Sequence, residues 1–283
     1  MKPSEPSIWV TGAGGLIGHC LMQTCPTPFK AIGILRQDLD LLDARAVEKR
    51  FKADQPSGII HCAAISKSPV CQKNPTLAHQ TNVEVTHQLA QLAESIPFIF
   101  LSSDLVFDGK KGHYTEPDQP NPLSIYGETK AKAEEQVLRN PRHTVIRTSL
   151  NGGQSPSGDR GFNEELHRVL RNGQTMNLFT DEYRSPMAAK VTARALWELL
   201  AAKSSGIFHI AGAEKLSRYD IGRVLTERWG ESNDRILAGS LKDYNGPPRA
   251  PDTSLSCDKV SQILSFPLPS FSRWLKDHPE ESF

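Results

Sequence analysis

Short apolar runs of strand length alternate with longer stretches of helical period through the first half of the chain. The runs fall at residues 7–10, 29–35, 58–62, 97–101 and 144–147. Between them, Asp43 is placed to cap a helix over residues 43–54. Leu77, Thr81, Val85, Leu89, Leu92 and Ile96 recur at helical spacing and predict a long helix over residues 75–95. Strand and helix patterns in this alternation predict an α/β fold with a doubly wound, parallel, Rossmann-type sheet and right-handed crossovers. Such sheets bind ligands outside the C-terminal ends of their strands, where Gly12, Ala63 and Ser103 fall.

The texture changes after Ser149. Residues 151–161 are rich in Gly, Ser and Asp and read as a loop, followed by a helix over residues 162–172. Ala189, Ala193, Leu196 and Leu200 mark a further helix, and residues 206–210 a strand that returns to the main sheet. Ser217 is placed to cap a helix running to Trp229, and a short helix is expected near residues 256–264. The expected division is a dinucleotide-binding part, residues 1–150 plus 187–212, and a smaller C-terminal α/β substrate lobe, residues 151–186 plus 213–283.

Charge and cysteines narrow the function class. The 283 residues carry 33 basic and 32 acidic side chains, a balance that gives no support for a nucleic-acid or polybasic membrane partner. No apolar run approaches the ~20 residues of a membrane span. The five cysteines show no CxxC pair and the nine histidines no shared spacing, so reduced thiols, a cytoplasmic location and no bound metal are expected. His61, inside an apolar strand, reads as structural, and Trp197 and Trp229 as core.

Two motifs carry chemistry. After the first strand comes Thr11-Gly-Ala-Gly-Gly-Leu-Ile-Gly18, a GxxGxxG spacing leading into a helix. Gly12 permits the tight turn, Gly15 the approach of a pyrophosphate, and Gly18 close packing of helix on sheet. The free N–H groups of the helix start favour the phosphates. Farther on, Tyr126 and Lys130 stand four apart and share a helix face, with Ser102-Ser103-Asp104 upstream. An ammonium beside the phenol would favour its ionised form and make it a usable acid or base, and a Ser hydroxyl can hold a substrate carbonyl. Arg36, after the second apolar run, suits a ribose 2′-phosphate and favours NADP(H), while Asp38 leaves NAD(H) open.

Together, TGAGGLIG, IIHCAA, LSSDLVFDG and YGETK resemble the extended short-chain dehydrogenase/reductases, most closely the dTDP-4-dehydrorhamnose reductase branch. The similarity covers nearly the whole chain and includes Asn82, Arg184-Ser-Pro186 and residues 249–255 in family order. The resemblance implies Ser103, Tyr126 and Lys130 as the catalytic set. It places Gly12, Gly15, Leu16, Ile17 and Gly18 along the pyrophosphate, Asp40 and Leu41 by the adenine, and Ala63, Ala64 and Asn82 on the cofactor. Asp104 would lie at the sugar side. Arg184 is open between a nucleotide diphosphate and an ordinary salt bridge. Leu105 and Leu150 depart from the aromatic residues usual at their places. Leu105 also stands where a sugar dehydratase carries an acid, so carbonyl reduction rather than elimination is expected. The implied activity is NADP(H)-dependent reduction of a 4-keto nucleotide sugar by a soluble enzyme, with a homodimer allowed. The resemblance also reaches the regulatory beta subunit of methionine adenosyltransferase, an NADP-binding partner rather than a catalyst.

Overall fold

A computed structural model describes residues 5–281 and 283 of the chain. In chain order its elements are β1 Ser7–Thr11, α1 Leu16–Gln23, β2 Lys30–Ile34, α2 Ala44–Asp54, β3 Gly58–His61, α3 Ser68–Lys73, α4 Pro75–His79, α5 Val85–Leu92, β4 Phe98–Ser103, α6 Ile125–Val137 and β5 Thr144–Thr148. There follow β6 Asn151–Gly152, α7 Phe162–Arg171, β7 Met176–Phe179, β8 Tyr183–Arg184, β9 Met187–Ala188, α8 Ala189–Ala201, β10 Gly206–Ile210, β11 Leu216–Ser217, α9 Arg218–Trp229, β12 Ile236–Gly239, α10 Asp258–Ser261 and α11 Phe271–Asp277.

Six parallel strands form the central sheet in the order β10-β5-β4-β3-β1-β2. The chain leaves β1 towards β2 on one side and returns to β3 on the other, so strand order reverses around β1. That reversal opens a crevice at the C-terminal strand ends. Period-2 alternation sorts the strand residues onto two cores. Ile8, Val10, Ile60, Ile99, Leu101 and Ile146 face α1 and α8, where Trp197 packs. Trp9, Ile59, Phe98, Phe100 and Val145 face α2, α5 and α6. Each of these fully buried side chains contributes roughly 1.5–3 kcal/mol of transfer free energy. Both sheet faces are thus covered, as a parallel sheet requires. A third core joins α7, α9 and α11 around Leu166, Ile221, Leu225 and Trp274, with Trp229 half-buried at its rim. Small two-stranded pairings, β7–β12 and β8–β11, frame this third core.

Local chemistry explains the element starts. Asp43 accepts from the Arg45 and Ala46 amides and caps α2 as expected. Ser124 accepts from the Gly127 amide to cap α6, and Ser217 accepts from Asp220 to open α9. Two expectations differ from the structure, and one element was not foreseen. The single helix over 75–95 is broken by a π-turn, Gln80–Glu84, between α4 and α5. The helix near 256–264 shortens to the single turn of α10. The segment after β3, without helical periodicity to announce it, forms α3.

Candidate active site

A cleft of about 1010 Å³ runs along the strand ends. It is lined by the 12–18 turn, by Arg36, Asp40 and Leu41 after β2, by Ala63 and Ala64 after β3, and by Ser103, Asp104, Tyr126 and Lys130. At the far end it reaches Arg184, Arg218 and Arg249. Of the cofactor residues expected from the sequence, Gly12, Gly15, Leu16, Ile17, Gly18, Arg36, Asp40, Leu41, Ala63 and Ala64 all line this one surface, whereas Asp38 does not.

Asn82 does not line the cleft. It is buried in the π-turn, where its Oδ1 accepts from the Ile65 amide (2.8 Å) and its Nδ2 donates to the Ile65 carbonyl (3.1 Å) and to Thr129 Oγ1 (3.0 Å). The extra residue of the π-turn turns this amide onto both neighbours at once. Asn82 therefore clamps the loop after β3 to α6.

Two glycines let the cleft walls meet. Gly12 adopts φ +69°, and a Cβ there would lie 2.7 Å from the Ala63 amide nitrogen. Gly127, inside the YGETK motif, faces the Leu105 carbonyl so closely that a Cβ would come within 2.1 Å of its oxygen. The glycine beside Tyr126 thus lets α6 press against the turn that carries Ser103.

The three chemical side chains sit in contrasting surroundings. Ser103 Oγ donates to Asp104 Oδ1 (3.1 Å) and accepts from the Leu105 amide (3.1 Å). Desolvation pushes the Tyr126 phenol up from its ordinary value, Ser103 acts in the opposite sense, and Asp104 adds to the rise. Lys130 is buried and its Nζ lies 4.2 Å from the centroid of the Phe100 ring, with no protein hydrogen-bond partner among the described residues. Burial pulls its ammonium down to about 8, against smaller opposing effects of Cys62, Glu134 and Cys71. The sequence expectation that Lys130 ionises Tyr126 is therefore corrected. Spacing puts both on one helix face, but the ammonium is drawn to the ring of Phe100 and the phenol is held protonated, the form a proton donor needs.

Asp104 is a hub. Besides Ser103 it accepts from Ser149 Oγ (2.8 Å) and Thr253 Oγ1 (2.8 Å), with Arg184 Nε at 3.8 Å. It ties the end of β4 to segments from the second half of the chain. Arg184 is spent in the same way. Its guanidinium donates to Glu182 (2.7 Å), to its neighbour Tyr183's carbonyl and to that of Ala250. Two further arginines line this end of the cleft, and the sequence reading assigned neither to a site. Arg249 is bidentate to Glu182 at 2.7 and 2.8 Å. Arg218 makes no side-chain hydrogen bond or ion pair among the described residues. It stacks 3.7 Å from the Phe162 ring centroid, and burial pulls it down to about 10. One buried glutamate thus faces three arginines. The usable signal was Arg218 directly after the Ser217 cap, at the N-terminal turn of a helix facing the crevice.

Comparison with known proteins agrees with this layout. The RmlD substrate binding domain matches residues 6–282. A probable low-salt glycan biosynthesis reductase, Agl14 of Haloferax volcanii, is 31% identical over 272 residues, covering 90% of each chain. The methionine adenosyltransferase 2 subunit beta of Mus musculus is 28% identical over 273 residues, covering 90% of this chain and 82% of that one. In fold, the dTDP-4-dehydrorhamnose reductase of Bacillus anthracis, solved in complex with NADP, superposes with a TM-score of 0.90 at 20% identity over 96% of this chain and 98% of that one. With its parallel sheet, glycine turn and YGETK helix in place, the chain belongs to the RmlD substrate-binding domain family, among the extended short-chain dehydrogenase/reductases.

Proposed function

We propose that this protein is an NADP(H)-dependent reductase of a 4-keto nucleotide sugar or a close keto analogue. One observation carries the reading. Ser103, Tyr126 and Lys130 meet midway along a single cleft, with the glycine turn and Arg36 at one end and the Arg218–Arg249 cluster at the other. The first end fits a dinucleotide: the glycine turn lines it, and α1 begins at Leu16 with no side-chain cap on its first N–H groups. Arg36 on the cleft wall, with Asp38 off it, suits a 2′-phosphate. The second end suits a diphosphate, because Arg218 lines it without a side-chain hydrogen bond or ion pair among the described residues.

The bound cofactor would supply the hydride to the carbonyl carbon. Tyr126, held protonated, donates its proton to the carbonyl oxygen. Ser103 turns its hydroxyl from Asp104 towards that oxygen and steadies it. Lys130, whose ammonium has no protein hydrogen-bond partner among the described residues, would hold the nicotinamide ribose, and solvent returns the proton to Tyr126. Leu105, next to Asp104, has no proton to shuttle, so reduction is not followed by elimination.

The test is NADPH oxidation against a panel of 4-keto nucleotide sugars, with product mass read alongside. The expected outcome is one NADPH consumed per ketone reduced. Tyr126→Phe should keep cofactor binding and lower turnover by roughly 10²–10⁴-fold. Wild-type turnover in that variant would remove Tyr126 from the mechanism. A product lighter by one water with no net cofactor loss would replace reduction by elimination. No turnover with any sugar, together with co-elution with a methionine adenosyltransferase, would replace the enzyme by a regulatory subunit.

A further inference from the structure

We infer that His61 is a positioning residue for the cofactor, a neutral imidazole that fixes the hydrogen-bond polarity of the two turns lining the dinucleotide end of the cleft. The inference rests on the cofactor reading above.

His61 ends β3 and is fully buried. In the sheet register it lies beside Thr11 on β1 and Phe100 on β4. Its Nδ1 is 2.6 Å from Thr11 Oγ1 and its Nε2 is 3.0 Å from Thr86 Oγ1. Hydrogen accounting fixes the direction of both bonds. The single proton of the Thr86 hydroxyl goes to the Asn82 carbonyl at 2.7 Å. His61 Nε2 must therefore donate to Thr86, which leaves Nδ1 as the acceptor in a neutral ring. Thr11 must then donate to Nδ1, and its oxygen lone pairs are free to accept the Ala63 amide, 3.3 Å away.

The result is one polarised chain. Ala63 N–H points to Thr11, Thr11 to His61, His61 to Thr86, and Thr86 to the carbonyl of Asn82. Its first link lies where the Gly12 turn and the Ala63 turn touch, a contact with no room for a Cβ. Its last link is the residue whose side chain clamps Ile65 and Thr129, and Thr129 Oγ1 donates to the Tyr126 carbonyl (2.8 Å). The wire thus joins the phosphate turn to the helix of Tyr126 and Lys130.

Neutrality is built in. The imidazole stacks on Phe100 with centroids 5.8 Å apart, and that ring carries the Lys130 ammonium. A second proton on His61 would give Nδ1 a hydrogen facing the hydroxyl proton of Thr11. It would also put two cations on one ring system. Burial and Lys130 accordingly hold the ring down to about 3.

Conservative variants separate positioning from bulk stability. An asparagine amide oxygen can stand in for Nδ1 and accept from Thr11. A glutamine amide nitrogen can stand in for Nε2 and donate to Thr86. NADPH affinity, titrated without substrate, is expected to stay within about threefold of wild type in His61→Asn. It should weaken about tenfold in His61→Gln, the scale of one lost buried hydrogen bond. Melting temperatures should fall comparably in both. The Thr11 pair gives the same reading without disturbing the ring: Thr11→Val should weaken NADPH about tenfold and Thr11→Ser should restore it. Equal affinities in the two His61 variants, or wild-type affinity in Thr11→Val, overturn the inference while leaving the cofactor reading intact. A wild-type protein that binds neither NADPH nor NADH overturns both.

Discussion

Two buried clusters of opposite charge flank the cleft, and they are built differently. Behind α6, Glu134 and Arg147 form a one-to-one pair, each 1–2% exposed, with the guanidinium meeting both carboxylate oxygens at 2.7–3.1 Å. Ser102 donates to Glu134 at 2.5 Å and Arg147 donates to the Glu116 carbonyl at 3.3 Å, so the cluster is filled from within. At the far end of the cleft, Glu182 faces Arg184, Arg218 and Arg249. That cluster has surplus cations and Arg218 has no partner in it. A saturated pair can only hold the fold, here fastening α6 to β4 and β5. An unsaturated cluster stores attraction for an anion that is not part of the chain. Charge balance, more than burial, separates these two clusters.

Breaking the saturated pair should give the largest effect. Glu134→Gln leaves Arg147 buried without its counter-charge and should destabilise the protein by about 3–5 kcal/mol in denaturant unfolding. The double variant Glu134→Leu with Arg147→Met removes both charges and should recover most of that loss. A double variant as unstable as the single one would mean that the pair acts through shape and not through charge.

Lys130 is a third kind of buried ion, with a ring for company and no counter-ion. Its folded value near 8 lies below the ordinary 10.5. Between those two values the unfolded chain holds the proton and the folded chain does not. Stability therefore rises with pH across that window. Lys130→Met removes the titration. At pH 7 the variant should be the more stable, and its advantage should shrink by up to about 3 kcal/mol as pH rises from 8 to 10.5. A stability gap that stays flat over that range would show that Lys130 keeps an ordinary pKa.

The same contrast explains what the sequence disclosed. The glycine turn, the YGETK helix and the parallel strands of the sheet were legible because each depends on local spacing or on a single apolar period. Ser103, Tyr126 and Lys130 line one cleft because β4 ends at Ser103 and α6, which carries Tyr126 and Lys130, packs against the turn that follows it. The Glu182 cluster was not legible as a cluster. Residues 182, 218 and 249 converge from three separated segments, and no spacing rule links them. Arg184 stood out beside Ser-Pro, yet folding spends its guanidinium on Glu182 and on backbone carbonyls. The π-turn was hidden because the helical period runs through it unbroken. His61 read as a buried structural histidine, which its burial supports. Its hydrogen-bond polarity needed Thr11 and Thr86 in place.

At the substrate end, sharpening the comparison means removing a surplus cation. Arg218→Ala takes away no protein hydrogen bond, so stability should change little. KM for a nucleotide-diphosphate substrate should rise about 10- to 100-fold, as for a lost charge-assisted contact, with kcat moved less. Arg184→Ala should do the reverse, lowering stability by breaking its bonds to Glu182 and the Ala250 carbonyl. Equal KM effects from both variants would dissolve the distinction between spent and available arginines.

The smallest effect is expected at the opposite end of the cleft, where Arg36 is the surplus cation of the cofactor side. Unlike Arg218 it is exposed, so water and salt screen whatever it binds. Arg36→Ala should therefore weaken NADPH by only about 1 kcal/mol, roughly fivefold, and leave NADH within about twofold. Raising ionic strength should erode the NADPH preference of the wild type and leave the variant almost unchanged, because only the wild type has a charge to screen. Equal losses for the two cofactors would mean that Arg36 packs against the adenine without reading a 2′-phosphate. An unscreened preference at high salt would place the discriminating cation elsewhere in the cleft.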